Sequence, residues 1–153
     1  MKKLITLLVI IVLVGGAGAG YYFTRPAFKV DKAVEANDMS KVSALYPKLK
    51  EEKKTEVQHD VLLYCGELLN SYVNQEREYD DVMAQLSPLA EGVMKDNAEF
   101  GNILDGMEMY KTSRESWAKA NEFFDAKDYS AALAAYSEVV KGDYPYEEAQ
   151  KKI

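Results

Sequence analysis

Residues 113–145 read SRESWAKANEFFDAKDYSAALAAYSEVVKGDYP, and this stretch decides the fold predicted for the chain. Before Ala126-Lys127-Asp128, apolar side chains recur at three- and four-residue steps, at Trp117, Ala120, Phe123 and Phe124. After it the same spacing recurs, at Tyr129, Ala132, Leu133, Tyr136, Val139 and Val140. Such spacing places the side chains on one face of a helix, and alanines opposite rings let two helices approach closely. The stretch therefore predicts two antiparallel helices joined by a turn at residues 126–128.

The order of small and aromatic residues in this hairpin fits a repeat pattern. With Tyr129 at the aromatic position that opens the second helix, Ala120 and Phe123 fill the small and aromatic positions of the first. The matching positions of the second helix are Ala132, Tyr136 and Val139. On these residues the hairpin resembles a tetratricopeptide repeat. It departs from the pattern at Ser116, at Lys119, at Lys127 in place of the turn glycine, and at Pro145, one residue late.

Two further stretches repeat the turn and the helix that follows it. In the first, the hairpin residues at 126, 128, 130, 132, 136 and 139 have identical or similar counterparts 90 residues earlier. These counterparts are Ala36, Asp38, Ser40, Val42, Tyr46 and Leu49. A third copy fits at Glu78-Tyr79-Asp80-Asp81-Val82, completed by Leu86 and Leu89. The offsets between copies are unequal, at 40 and then 50 residues. The predicted fold class is all-α, with three helix-turn-helix units stacked as a short tetratricopeptide-like α-solenoid.

The remaining helices are predicted from apolar residues at helical spacing and from capping residues at the helix starts. A long helix is predicted at about residues 52–74, and Cys65 falls in its apolar pattern as a small buried residue. Asp96 with Glu99, and Thr112 with Glu115, form possible capping boxes that open two successive helices. Residues 24–29 are expected to be a linker because Pro26 interrupts helix continuity. Residues 146–153 are expected to form a polar capping helix.

The first 25 residues carry the signature of a membrane segment. Lys2 and Lys3 precede an uncharged run of 20 residues that begins at Leu4 and ends at Phe23. A helix of that length spans about 30 Å, the thickness of the hydrocarbon layer. One transmembrane anchor over residues 1–25 is therefore predicted, before a helical domain at 26–153. The alternative is a signal peptide cleaved after Ala19, because residues 17–19 are small.

Both interpretations predict export of the helical part. The two lysines favour an N-terminus held in the cytoplasm, so the domain of a single-pass cell-membrane protein would lie outside it. If the segment is cleaved, the protein is secreted instead. The lysine pair followed by an uncharged run resembles the N-terminal segments of bacterial proteins.

The charge of the chain beyond the N-terminal apolar run limits its partners. Without Lys2 and Lys3, 17 basic residues stand against 25 acidic ones, which gives a net charge of −8. Nucleic acids and anionic lipids are therefore unsuited as partners held by bulk charge.

Residues able to perform catalysis are scarce in the sequence. His59 is the only histidine and Cys65 the only cysteine, so zinc-type ligand sets cannot be assembled from them. The acidic residues at 76–81 are expected to be a solvated helix start. No phosphate-binding glycine loop or nucleophile elbow occurs. The prediction is a protein without catalytic activity, cofactor or metal.

The resemblance to tetratricopeptide repeats implies a binding groove lined by first helices. Carried onto this hairpin, the groove residues would be Arg114, Trp117, Asn121 and Phe124. Asparagine at the Asn121 position often holds a peptide backbone in this family. The alternative is that Trp117 and Phe124 simply pack against the preceding helix.

Three roles follow from these observations. The leading one is a membrane-anchored, exported module that binds another protein or peptide by shape. The second is a secreted helical protein that binds a small molecule or glycan in a tyrosine-lined pocket. The third is a structural role through self-association of the last hairpin.

Overall fold

The computed structural model describes residues 25–153, which contain seven α-helices and no β-strand. The helices are α1 (Pro26–Glu35), α2 (Met39–Leu45), α3 (Glu51–Val73), α4 (Tyr79–Ala90), α5 (Ala98–Asp125), α6 (Tyr129–Ser137) and α7 (Tyr146–Lys152). The all-α class is thus confirmed for this part of the chain. None of these seven helices is both long and apolar enough to cross a membrane. The predicted anchor, residues 4–23, lies outside the described residues.

The chain divides into two compact units, one up to Val61 and the other from Leu62 onward. The division falls within α3. In the first unit α1 packs against α2, and the fully buried side chains include Val30, Ala33 and Val42. In the second unit α5 packs against α6, and α6 against α7. A core cluster there consists of Ala120, Ala132, Tyr136, Val139 and Ala149.

The predicted linker at residues 24–29 is wrong for its described part, because α1 begins at Pro26. Proline lacks a backbone N–H, but the first turn of a helix has no intrahelical acceptor for one. Pro26 therefore opens the helix instead of preventing it.

The predicted break near Thr112 is also wrong, because α5 runs unbroken for 28 residues. Its buried positions recur at six- and seven-residue steps, at Phe100, Met107, Ser113 and Ala120, so one face stays inside along the whole helix. Asn97, rather than Asp96, caps its start by accepting a hydrogen bond from the Phe100 N–H at 2.9 Å. A continuous buried face outweighs the local capping signal at residues 112–115.

The predicted turn at residues 126–128 is confirmed. Lys127 adopts a left-handed backbone with φ of +61°, and Asp128 accepts a hydrogen bond from the Ala131 N–H at 3.1 Å. This ends α5 and caps α6, with Asp128 acting as the side-chain N-cap.

The first copy of the turn has the same geometry. Asn37 has φ of +54°, and Asp38 accepts from the Lys41 N–H at 3.1 Å. The third copy shares the buried apolar positions but not the turn: the left-handed residue is Gln75, and Glu78 makes no side-chain cap.

Candidate binding surface at the C-terminal hairpin

Arg114 lies on α5 and fastens this helix to two other parts of the second unit. Its Nη2 donates to the carbonyl oxygens of Tyr72 and Val73, each at 3.1 Å, at the end of α3. Its Nε donates to Asp143 Oδ1 at 3.1 Å, in the loop before α7. The last carbonyls of a helix lack intrahelical donors and carry partial negative charge, so a guanidinium satisfies them well.

The ion pair between Arg114 and Asp143 is largely shielded from water. The side chain of Arg114 is 17% exposed and that of Asp143 is 0% exposed. The guanidinium carbon lies 4.2 Å from the ring centroid of Tyr72 and 5.1 Å from that of Tyr144. Arg114, predicted to face a groove, thus has its charge engaged by internal partners; contact with a peptide stays a prediction.

The loop before α7 is held in place by two further features. Ser113 Oγ, buried on α5, accepts a hydrogen bond from the Val140 N–H at 3.2 Å. Gly142 has φ of +98°, in the left-handed region that side chains disfavour. The loop is therefore shaped to present Asp143 to Arg114.

The other three predicted groove residues come together around a single ammonium group. Lys152 Nζ, on α7, lies 5.5, 5.0 and 5.4 Å from the ring centroids of Trp117, Phe124 and Tyr136. It also donates to Asn121 Oδ1 at 3.1 Å. We call the three rings and this amide oxygen the ammonium cage.

Hydrogen bonds fix the orientation of the Asn121 amide. Its oxygen also accepts from the Tyr136 hydroxyl at 2.8 Å, and its Nδ2 donates to the Trp117 carbonyl oxygen at 3.0 Å. The oxygen therefore points toward Lys152. Sequence reasoning found Trp117, Asn121 and Phe124 but missed Tyr136 and Lys152, since Lys152 lies 31 residues beyond Asn121.

An exposed apolar surface adjoins the cage. Its large side chains are Phe124, Tyr129, Leu133 and Ile153, exposed by 41%, 60%, 45% and 56%. They line a half-open cavity of about 220 Å³ together with Ala132, Tyr136 and Lys152. We call these four exposed side chains the apolar patch.

The apolar spacing of the second helix includes Tyr129 and so predicts that it packs against the first helix, and this is wrong. It follows directly on the Asp128 cap and is 60% exposed, and its ring makes an edge-to-face contact with Phe124 at a centroid distance of 5.6 Å. Tyr136 does pack as predicted, with 1% exposure.

A second cavity, of about 450 Å³, lies in the first unit. Its lining includes Arg25, Lys48, Lys50 and Lys53, with Glu52. Lys53 is paired with Asp31 at 2.6 Å and Glu56 at 2.7 Å. Lys48, Lys50 and Lys53 lie within six residues of one another, whereas Arg25 lies 23 residues before Lys48, and its place beside the three lysines was not predicted from the sequence.

The groups best suited to chemistry are placed for packing or lie in solvent. Cys65 is buried, and burial raises the pKa of its thiol to about 12, which keeps it protonated and unreactive. His59 is exposed. Within residues 25–153, no three histidine, cysteine or acidic side chains are grouped to hold a metal ion. The arrangement of the second unit is suited to recognition through rings and apolar surface.

Comparison of the chain with protein-family models, with curated proteins and with solved structures found no match.

Proposed function

We propose that this protein is a non-catalytic interaction module whose C-terminal hairpin binds another protein. The observation that carries the proposal is the apolar patch of Phe124, Tyr129, Leu133 and Ile153 around its cavity. Large side chains that are exposed singly are ordinary, but four that line one cavity mark an interaction site. Aromatic side chains are also the anchors that contribute most to protein–protein binding.

The rigidity of the hairpin supports this role. Arg114 ties α5 to the end of α3 and to the loop before α7, so the helix that carries Phe124 of the patch is held in place before a partner arrives. A surface that is already ordered loses less conformational entropy on binding. Recognition by shape is thus the mechanism.

The proposal includes tetratricopeptide-like repeats and a bacterial cell-membrane location. The turns at residues 36–38 and 126–128, which share backbone geometry and an aspartate cap, support related hairpins. The uncharged run from Leu4 to Phe23 supports a single-pass anchor with the helical part outside the cytoplasm.

Site-specific photo-crosslinking tests the binding role. A benzophenone amino acid at Leu133, in the full-length chain in its native cells, is expected to give one discrete adduct with another protein. Tyr129→Ser should remove the adduct because it removes the most exposed ring of the patch. An adduct with a second copy of this chain would favour self-association, and the absence of any adduct would contradict the proposal.

Cell fractionation with intact-mass measurement tests the anchor. Full-length protein in the membrane fraction is the expected result. A mature species that begins near Gly20 in the soluble exported fraction would contradict the anchor. It would favour the secreted alternative, in which the half-open cavity beside Tyr129 and Tyr136 takes a small molecule or glycan.

A further inference from the structure

The ammonium cage has the chemistry of a cation-binding site. An ammonium group within about 6 Å of aromatic ring centroids is attracted by their negative faces. Here three rings, from Trp117, Phe124 and Tyr136, lie within that distance of one nitrogen. The Asn121 amide oxygen accepts one of its protons, and the Tyr136 hydroxyl holds that oxygen in place. Four groups therefore converge on the position of a single positive charge.

We propose that the ammonium cage is a binding site for a lysine side chain of the partner protein, and that Lys152 occupies it as an internal substitute until the partner displaces it. This rests on the proposed function and names the class of partner: a segment with a lysine beside an apolar residue. The lysine enters the cage, and the apolar neighbour enters the adjoining cavity of about 220 Å³.

The location of the cage residues allows this exchange. Trp117, Asn121 and Phe124 lie on α5 and Tyr136 lies on α6, so the cage does not depend on α7 for its walls. Lys152 is an exposed residue at the end of the seven-residue helix α7. Phe124 is 41% exposed, which leaves one wall of the cage accessible from solvent.

Charge favours a basic partner. Residues beyond the N-terminal run carry 25 acidic and 17 basic side chains. A net negative protein attracts a basic segment and accelerates its association, most strongly at low salt.

The experiment uses the full-length chain in a neutral detergent and two small probes. Nα-acetyl-lysine methylamide carries the ammonium group, and Nα-acetyl-norleucine methylamide has the same chain without it. Trp117 is the only tryptophan, so its fluorescence reports occupancy of the cage directly. The variants are Lys152→Met, which removes the internal ammonium, and Lys151→Met, which removes the same charge from the neighbouring residue.

We expect Lys152→Met to bind the lysine probe about tenfold more tightly than the wild type, since removal of a competitor raises the fraction of open cages. Lys151→Met should behave as the wild type, and the norleucine probe should not bind. Adding Phe124→Ala to Lys152→Met should abolish the gain, with helicity checked by circular dichroism. If α7 detaches in Lys152→Met, the gain is still expected, because all four cage residues lie on α5 and α6.

No gain in Lys152→Met, an equal gain in Lys151→Met, or equal binding of both probes would overturn the inference. Each failure is distinct from failure of the proposed function. A Leu133 adduct without lysine binding would leave the interaction module standing and remove only this class of partner. Lysine binding without an adduct would contradict the interaction module and, with it, the assignment of the bound lysine to a partner protein, and would leave only a cage that accepts ammonium groups.

Discussion

The turns at residues 36–38 and 126–128 have the same backbone geometry, but the side chains next to them differ in exposure. Asp38 and Asp128 both have φ of −86° and ψ of 75°, and each caps the next helix with a 3.1 Å hydrogen bond. Yet the residue after the cap is Met39 in the first turn, 6% exposed, and Tyr129 in the second, 60% exposed.

The difference extends along both hairpins. Ala33 is 1% exposed, whereas Phe123, 90 residues later, is 40% exposed. Ser43 stands 90 residues before the exposed Leu133. A turn is thus specified by a left-handed residue and an aspartate cap, whereas the surface is specified by the side chains outside it. The first hairpin keeps its large apolar side chains inside, whereas the second leaves Phe123, Phe124, Tyr129 and Leu133 exposed.

Removal of an ion pair should lower the free energy of unfolding much more in the second unit than in the first, and this is the largest difference that we expect. Arg114→Met leaves the buried Asp143 carboxylate unpaired and should lower the free energy of unfolding by about 3–5 kcal/mol. Lys53→Met removes two pairs, with Asp31 and Glu56, whose side chains are 43% and 61% exposed, and should cost about 1 kcal/mol at most. Urea unfolding of the full-length chain in detergent, followed by circular dichroism, measures both. Equal decreases for Arg114→Met and Lys53→Met would contradict the expected difference between the two units. The double variant Arg114→Met/Asp143→Asn should recover part of the stability lost in Arg114→Met.

The equivalent residues after the two caps should respond differently to truncation. Met39→Ala removes a buried side chain and should cost about 2–5 kcal/mol. Tyr129→Ala should cost about 0.5 kcal/mol, because the ring is mostly in water. The same unfolding experiment applies, and a large cost at Tyr129 would mean that the ring serves stability rather than binding.

The two caps should be equal in effect. Asp38→Ala and Asp128→Ala each remove one side-chain hydrogen bond to a helix N–H, so each should cost about 1 kcal/mol. Thermal unfolding by circular dichroism measures the pair. If the two substitutions lower the free energy of unfolding by amounts that differ by more than about 1 kcal/mol, the caps stabilise their helices unequally despite the same geometry.

Substitution of the two residues with left-handed backbone by glycine should change the free energy of unfolding least. Lys127→Gly removes side-chain strain at φ of +61° and should stabilise the protein by up to about 1 kcal/mol. Asn37→Gly should stabilise it less, because asparagine tolerates this region. Thermal unfolding of both variants tests the order, and a larger gain at Asn37 would reverse it.

Local features of the structure could be predicted from the sequence. The turn at 126–128 follows from apolar spacing and an aspartate cap, both of which act within a few residues. The role of Arg114 could not be predicted, because its partners Tyr72 and Asp143 lie 42 and 29 residues away. Lys152 reaches the cage across a similar separation. Only the packing of whole helices brings such groups together.

The most direct test of the central claim compares the two hairpins in one experiment. A photo-crosslinking residue is placed at Leu133 in one sample and at the exposed Ala44 of α2 in another, in the full-length chain in native cells. We predict an adduct with another protein from Leu133 and none from Ala44. Equal yields from the two positions, or an adduct from Ala44 alone, would contradict the assignment of binding to the C-terminal hairpin.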